Sequence, residues 1–172
     1  RVAKWNDECE RRLKRLVAYM KAHKSDVLLL VGVRGDDLTL IVEEDADFAG
    51  DSSRRSTTGY LIKLVGARGT YILLDWKSVL QKSISLSTAE AEIVAFRDAL
   101  KRVVGVLAFL ETFFGMLKVE ILCDSSACLG IVAKGFSKAL RHVRKLQDIS
   151  TKWVKETIDK LEIVAKKVAS ED

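Results

Sequence analysis

The acids of this chain gather at three places where they could do chemistry together. Glu43, Glu44, Asp45, Asp47 and Asp51 follow the apolar run Leu38-Thr39-Leu40-Ile41-Val42, Glu92 ends the string Ser87-Thr88-Ala89-Glu90-Ala91-Glu92, and Asp124 follows Lys118-Val119-Glu120-Ile121-Leu122-Cys123. Carboxylates brought together repel one another unless a divalent cation or a basic partner neutralises them. Carboxylate and water ligands suit Mg2+ or Mn2+, and two such ions held about 3.5–4 Å apart can activate a water and stabilise the leaving oxygen of a phosphodiester. The chemistry implied is in-line hydrolysis. It asks for no protein nucleophile, which suits a chain whose only histidines are His23 and His142.

One acid from each place is the expected ligand: Asp45, Glu92 and Asp124. Glu90 holds the reach-back position of a Ser-x-x-Glu capping box and so has a structural task, whereas Glu92, two residues on, has none. Asp124 taken alone could equally cap the helix that follows it. Asp47 and Asp51 are expected to shape a turn, and Glu43 and Glu44 to be charges on a strand edge.

The periodicity supplies the elements that would position these groups. Residues 6–22 carry Leu13, Leu16, Val17 and Met20 on one face, an amphipathic helix expected to pack on a neighbour. The apolar run 26–33 reads as a strand that turns through Gly35-Asp36-Asp37 into the Leu38 strand as a hairpin. Strands at 58–65 and 70–76 continue an antiparallel meander. A long helix starts at Ser87-Thr88 and ends near Gly115, with Gly105 a candidate break; then come a strand at 118–123, a helix at 125–134 stopped by Gly135, a helix from 137 to about 158, and a last strand from 160 to 168. This order gives an α/β fold with a mixed sheet and helices on its faces. If the Leu38 and Lys118 strands are parallel neighbours, Asp45 and Asp124 leave the sheet on one edge, toward which Glu92 projects.

At 172 residues the chain is long enough for one well-buried domain. Its three cysteines form no Cys-x-x-Cys pair, which points to reduced thiols in an intracellular protein and away from zinc. The net charge of +5 is a modest bias toward polyanions. No apolar run reaches the roughly 18 residues of a membrane helix, so no membrane association is expected. The chain has no proline, where average usage of about 5% would give eight or nine, and nothing physical accounts for it.

The strings Asp45-Ala46-Asp47-Phe48-Ala49-Gly50-Asp51, Arg54-Arg55-Ser56-Thr57-Thr58-Gly59-Tyr60, Trp76-Lys77-Ser78 with Gln81, Ser87 to Glu92, and Cys123-Asp124 resemble, in order and spacing, the RNase H domain of copia-type LTR retrotransposon polyproteins. The resemblance implies an RNase H-like mixed five-stranded sheet with helices on both faces plus an N-terminal helix. It divides the chain into residues 1–35, leading from the reverse transcriptase side of the polyprotein, and 36–172, an RNase H-like domain lacking its final helix. It implies metal-dependent hydrolysis of the RNA strand of RNA/DNA hybrids, with Asp45, Glu92 and Asp124 as ligands of two Mg2+ or Mn2+ ions. The family's fourth acid would fall beyond Asp172, with Asp148 or Asp172 as substitutes. Glu44 stands where the family has Ser or Thr. Arg54, Arg55, Lys77 and Lys82 are candidate phosphate contacts, and Ser125 a candidate contact to the 2′-OH or a helix cap. The competing expectation is a catalytically impaired or domesticated domain that binds nucleic acid or protein without cutting.

Overall fold

The computed structural model of the chain describes residues 5–25, 28–143, 147 and 149–169. Its elements run α1 (Asp7–Ala22), β1 (Leu38–Asp47), β2 (Thr57–Gly66), β3 (Tyr71–Leu80), α2 (Thr88–Phe114), β4 (Lys118–Cys123), α3 (Ser126–Lys134), α4 (Thr151–Lys160) and β5 (Val164–Lys167). The five strands form one mixed sheet in the order β3-β2-β1-β4-β5. β1, β2 and β3 are the antiparallel meander, and β4 and β5 join parallel to β1 and β4.

Alternation decides what each strand buries. In β1 Leu40, Val42 and Ala46 are buried and their neighbours in the first half of the strand are not; in β4 Val119, Ile121 and Cys123 are buried likewise. Across this face lies α2, whose Ile93, Phe96, Leu100 and Val103 are fully covered and share one core with Ile62 and Leu64 of β2. α2 is a single helix of 27 residues that runs through Gly105 without a break and stops at Gly115, where φ of 73° suits a residue with no Cβ. Cys128 and Val132 of α3 and Val154 of α4 extend the same core past β4.

The structure corrects four expectations. The described part of the run, residues 28–33, makes no hairpin with β1: both edges of β1 are taken by β2 and β4, so residue 31 instead pairs with the free edge of β3, Val31 N–H donating to Tyr71 O at 2.9 Å and Tyr71 N–H to Val31 O at 2.8 Å. β1 continues through the acids to Asp47, because β2 pairs with it all the way to Asp47↔Thr57. Residues 137–142 are bends and turns rather than the start of a long helix; Ser150 caps a new one, accepting from Trp153 N–H at 3.2 Å, while Thr151 Oγ1–H donates to Gly135 O at 2.9 Å. α1 forms as expected, capped by Asn6 and braced by Glu8–Arg11 and Glu8–Arg12 pairs of 2.7 and 2.8 Å, yet it has no buried residue. Its apolar side chains Leu16 and Met20 are exposed among the described residues.

Candidate active site

The parallel register of β1 and β4 is what brings the acids together. The two strands pair as far as Glu43↔Leu122. Continuing that register sets Glu44 beside Cys123 and Asp45 beside Asp124, so successive residues form two pairs that alternate in direction. Asp45, next to buried Glu44, is exposed, and Asp124 is half-buried.

The third acid comes from the first turns of α2. Ser87 caps that helix, its Oγ accepting from Glu90 N–H at 3.2 Å. Glu90 reaches back as the capping box requires, although its Oε2 takes the N–H of Leu86 at 2.9 Å rather than that of Ser87. The same carboxylate, almost fully buried, meets His142 Nε2 at 3.0 Å and accepts from Gln147 Nε2. Glu90 is thus a structural acid, engaged through both of its oxygens. Glu92, two residues on and turned to another side of the helix, is buried, with its Oε2 lacking any hydrogen-bond partner.

Asp45, Glu92 and Asp124 each offer an oxygen within 4.8 Å of the others. Burial first, then Cys123, Asp124 and Asp45, push the Glu92 carboxyl up to about 8. Three oxygens of hard, acidic groups around a buried oxygen without a donor are a donor set that fits Mg2+ or Mn2+. The expected trio is therefore assembled, with Asp45 inside β1 rather than at its end.

The remaining sequence candidates fall in different places. Arg54, in the left-handed region with φ of 60°, and Arg55, whose Nε donates to Ser53 Oγ at 3.0 Å, stand in the loop between β1 and β2. Asp51 shapes this loop by accepting from Ser53 N–H at 2.9 Å, and Asp47 lies so close to Gly50 that a Cβ there would sit 1.9 Å from its Oδ2. Lys77 points back to α2, 3.6 Å from Asp98, and shares a cleft of about 520 Å³ with Lys82, Arg97 and Lys101. Ser125, rather than Asp124, is the N-cap of α3, accepting from Cys128 N–H at 3.2 Å. Asp148 and Asp172 lie outside the described residues.

Two features escaped the sequence reading. Glu44 is not an edge charge: it is 5% exposed, and neither of its oxygens has a hydrogen-bond partner. The alternation of β1 carried through the acids would have shown it, since Glu44 shares the parity of Leu40 and Val42. Gln81, also buried, ties the end of β3 to α2 by donating to Thr58 Oγ1 at 3.1 Å and Ala91 O at 3.0 Å. Beside Asp45 a shallow hollow of about 340 Å³ is lined by Gly59, Tyr60, Trp76 and Ser78, and Trp76 is 65% exposed.

No family model matches the chain. It is 29% identical over 164 residues to the retrovirus-related Pol polyprotein from transposon TNT 1-94 of Nicotiana tabacum, a match covering 93% of this chain and 11% of that protein. It is 37% identical over 93 residues to the secreted RxLR effector protein 161 of Plasmopara viticola, covering 54% of this chain and 61% of that one. Among solved structures it resembles LC11-RNase H1, isolated from compost by a metagenomic approach, at a TM-score of 0.50 and 14% identity over 76% of this chain and 84% of that one. The fold is that of RNase H. Prototype foamy virus protease-reverse transcriptase matches at a TM-score of 0.51 and 17% identity over 86% of this chain and 20% of that one. The chain thus has the RNase H fold and is similar in sequence to a retrotransposon Pol polyprotein, and it spans about a tenth of that relative's length and under two thirds of the effector's. No described helix is long and apolar enough to cross a membrane.

Proposed function

We propose that this chain is a metal-dependent endoribonuclease that hydrolyses the RNA strand of RNA/DNA hybrids as a module of a retroelement polyprotein. The observation that carries the reading is the convergence of Asp45, Glu92 and Asp124 within 4.8 Å on an RNase H fold. In this reading the trio would hold two Mg2+ or Mn2+ ions, which when bound would supply an activated water and neutralise the leaving oxygen. The chain's own residues set up the rest. Burial and the neighbouring acids raise the Glu92 carboxyl to about 8, and a proton held there relieves the repulsion among the three acids. Glu90, His142 and Gln147 fix the start of α2 and with it the direction of Glu92.

The hollow beside Asp45 gives a substrate strand a place to lie. Trp76 offers an exposed ring for stacking against a base or sugar, and the loop with Arg54 and Arg55 flanks the same strand ends. Lys82 extends the positive surface along the other side; Lys77 reaches substrate only by leaving Asp98. Ser125 acts first as a cap, and its contact with the 2′-OH would be made while it keeps that bond. The reverse transcriptase of the same polyprotein is the partner this reading assigns.

The test is cleavage of a labelled RNA strand in a hybrid duplex. The chain should cut in Mg2+ or Mn2+, stop in chelator, and lose about a hundredfold or more of its rate in Asp45→Asn and Asp124→Asn. Undiminished cutting in both variants would remove the trio from the chemistry. Hybrid binding by the folded protein with no turnover in either metal would establish a binding module instead.

A further inference from the structure

A second cluster lies directly behind the acidic trio, made by the residues that alternate with it. Glu44 on β1, Cys123 at the end of β4 and Cys128 in the first turn of α3 each offer one atom within 4.8 Å of the other two, and all three are buried. The two sulfurs are free thiols, both fully covered. Their backbones belong to three different elements, yet the register fixes them: Glu44 and Cys123 are neighbours on parallel strands, and Ser125 turns the chain so that Cys128 comes back over Cys123.

This cluster is more than a group of acids and sulfurs. Both oxygens of Glu44 are buried without a hydrogen-bond partner, so the group has been taken out of water with nothing in return. Burial first, then Cys123, Glu92 and Asp45, hold its carboxyl well above the ordinary range. Cys128 donates a hydrogen bond to Cys123, which eases loss of the Cys123 proton, while Cys128, beside Cys123 and buried, holds its own proton more tightly than an ordinary thiol. Two thiols and a carboxyl closing on one point, with one orphaned group aimed into it, form a borderline-soft donor set. Mg2+ and Mn2+ prefer oxygen; two sulfurs and one oxygen suit a zinc-type cation in tetrahedral geometry, with a water as fourth ligand.

We propose that Glu44, Cys123 and Cys128 form a second metal site, for Zn2+ or a cation of the same class, separate from the trio that faces the substrate. Loading the site displaces the protons of both thiols and of the carboxyl, three in all, and leaves two metal–sulfur bonds and one metal–oxygen bond. The metal would clamp β1, β4 and α3 at the point from which Asp45 and Asp124 emerge. It acts on their spacing without touching substrate.

Cobalt is the probe, because cobalt–thiolate bonds absorb in the near ultraviolet and tetrahedral Co2+ gives intense visible bands. The full chain, reduced with a phosphine and stripped with chelator, is titrated with Co2+ in the presence of excess Mg2+. One cobalt per chain should bind with both sets of bands, and Zn2+ should bleach them while Mg2+ does not. Cys123→Ser and Cys128→Ser should each lose most of the thiolate absorption, Glu44→Gln should weaken binding by about tenfold or more, and Cys9→Ser and Asp45→Asn should change nothing. Circular dichroism checks that each variant is folded; if a serine variant is not, the other, with zinc X-ray absorption of the parent showing two sulfurs at about 2.3 Å, decides the matter. Absence of thiolate bands in the parent, bands that survive both serine variants, or bands lost in Asp45→Asn would overturn the proposal.

Discussion

Replacing Glu92 by Gln should abolish cleavage and, in chelator, stabilise the fold. The carboxyl is 4% exposed, one of its oxygens lacks a partner, and its environment pushes it up to about 8. An acid whose folded-state value is raised favours folding most at low pH. Below the unfolded value near 4.5 it is protonated in both states; above that the unfolded chain ionises while the folded chain holds its proton, and stability falls until about pH 8. A single group changes stability by at most about 1.4 kcal/mol per pH unit, which gives an upper bound of about 5 kcal/mol across this window. Relaxation around the site and its neighbouring acids reduce that, so we expect the Glu92→Gln protein to exceed the parent by about 1–3 kcal/mol at pH 7.5 and to match it near pH 5. Urea unfolding at the two pH values, followed by circular dichroism, measures the difference. Mg2+ added at pH 7.5 should then raise the parent's midpoint and leave that of the variant almost unmoved. A Glu92→Gln protein no more stable, relative to the parent, at pH 7.5 than at pH 5 would refute the account of Glu92 as a buried acid strained by desolvation and like charge.

Two further substitutions separate structure from function around the same site. Glu90→Ala leaves His142, Gln147 and the N–H of Leu86 without their shared acceptor, and should cost about 2–4 kcal/mol in urea unfolding; a loss under about 1 kcal/mol would mean that these bonds are not made in solution. Trp76→Ala removes an exposed ring, so its stability should stay within about 0.5 kcal/mol of the parent while hybrid affinity drops about fivefold or more, read by fluorescence anisotropy. Unchanged affinity would take the hollow out of the substrate path.

What the sequence made legible was what local signals encode. The capping box at Ser87 placed the start of α2, Gly115 and Gly135 placed two helix ends, and alternation placed the strands of the meander, so Asp45, Glu92 and Asp124 could be matched before any geometry was known. The errors came where a partner far along the chain decides the outcome. Nothing local in residues 28–33 says that both edges of β1 are filled, and only that sends Val31 to Tyr71. Residues 137–150 hold helix-forming side chains, but Leu140, Val143 and Ile149 are drawn into the core at spacings no single helix face provides. For α1 the amphipathic pattern was real and the burial was not.

Glu44 shows how far one strand's period reaches. Five acids within nine residues look like a single solvated cluster, and a charge count cannot tell them apart. Once β1 is known to continue to Asp47, parity alone assigns Glu44 to the side of Leu40 and Val42, and Asp45 to the side open to solvent. The parallel step to β4 then hands each of them a partner, a thiol for Glu44 and a carboxylate for Asp45. The two clusters are therefore not independent. A one-residue shift of β4 that put Cys123 where Asp124 belongs would destroy the acidic trio and turn Glu120 into the place of buried Ile121, so the core packing of Val119 and Ile121 that prevents the shift also holds the site's geometry.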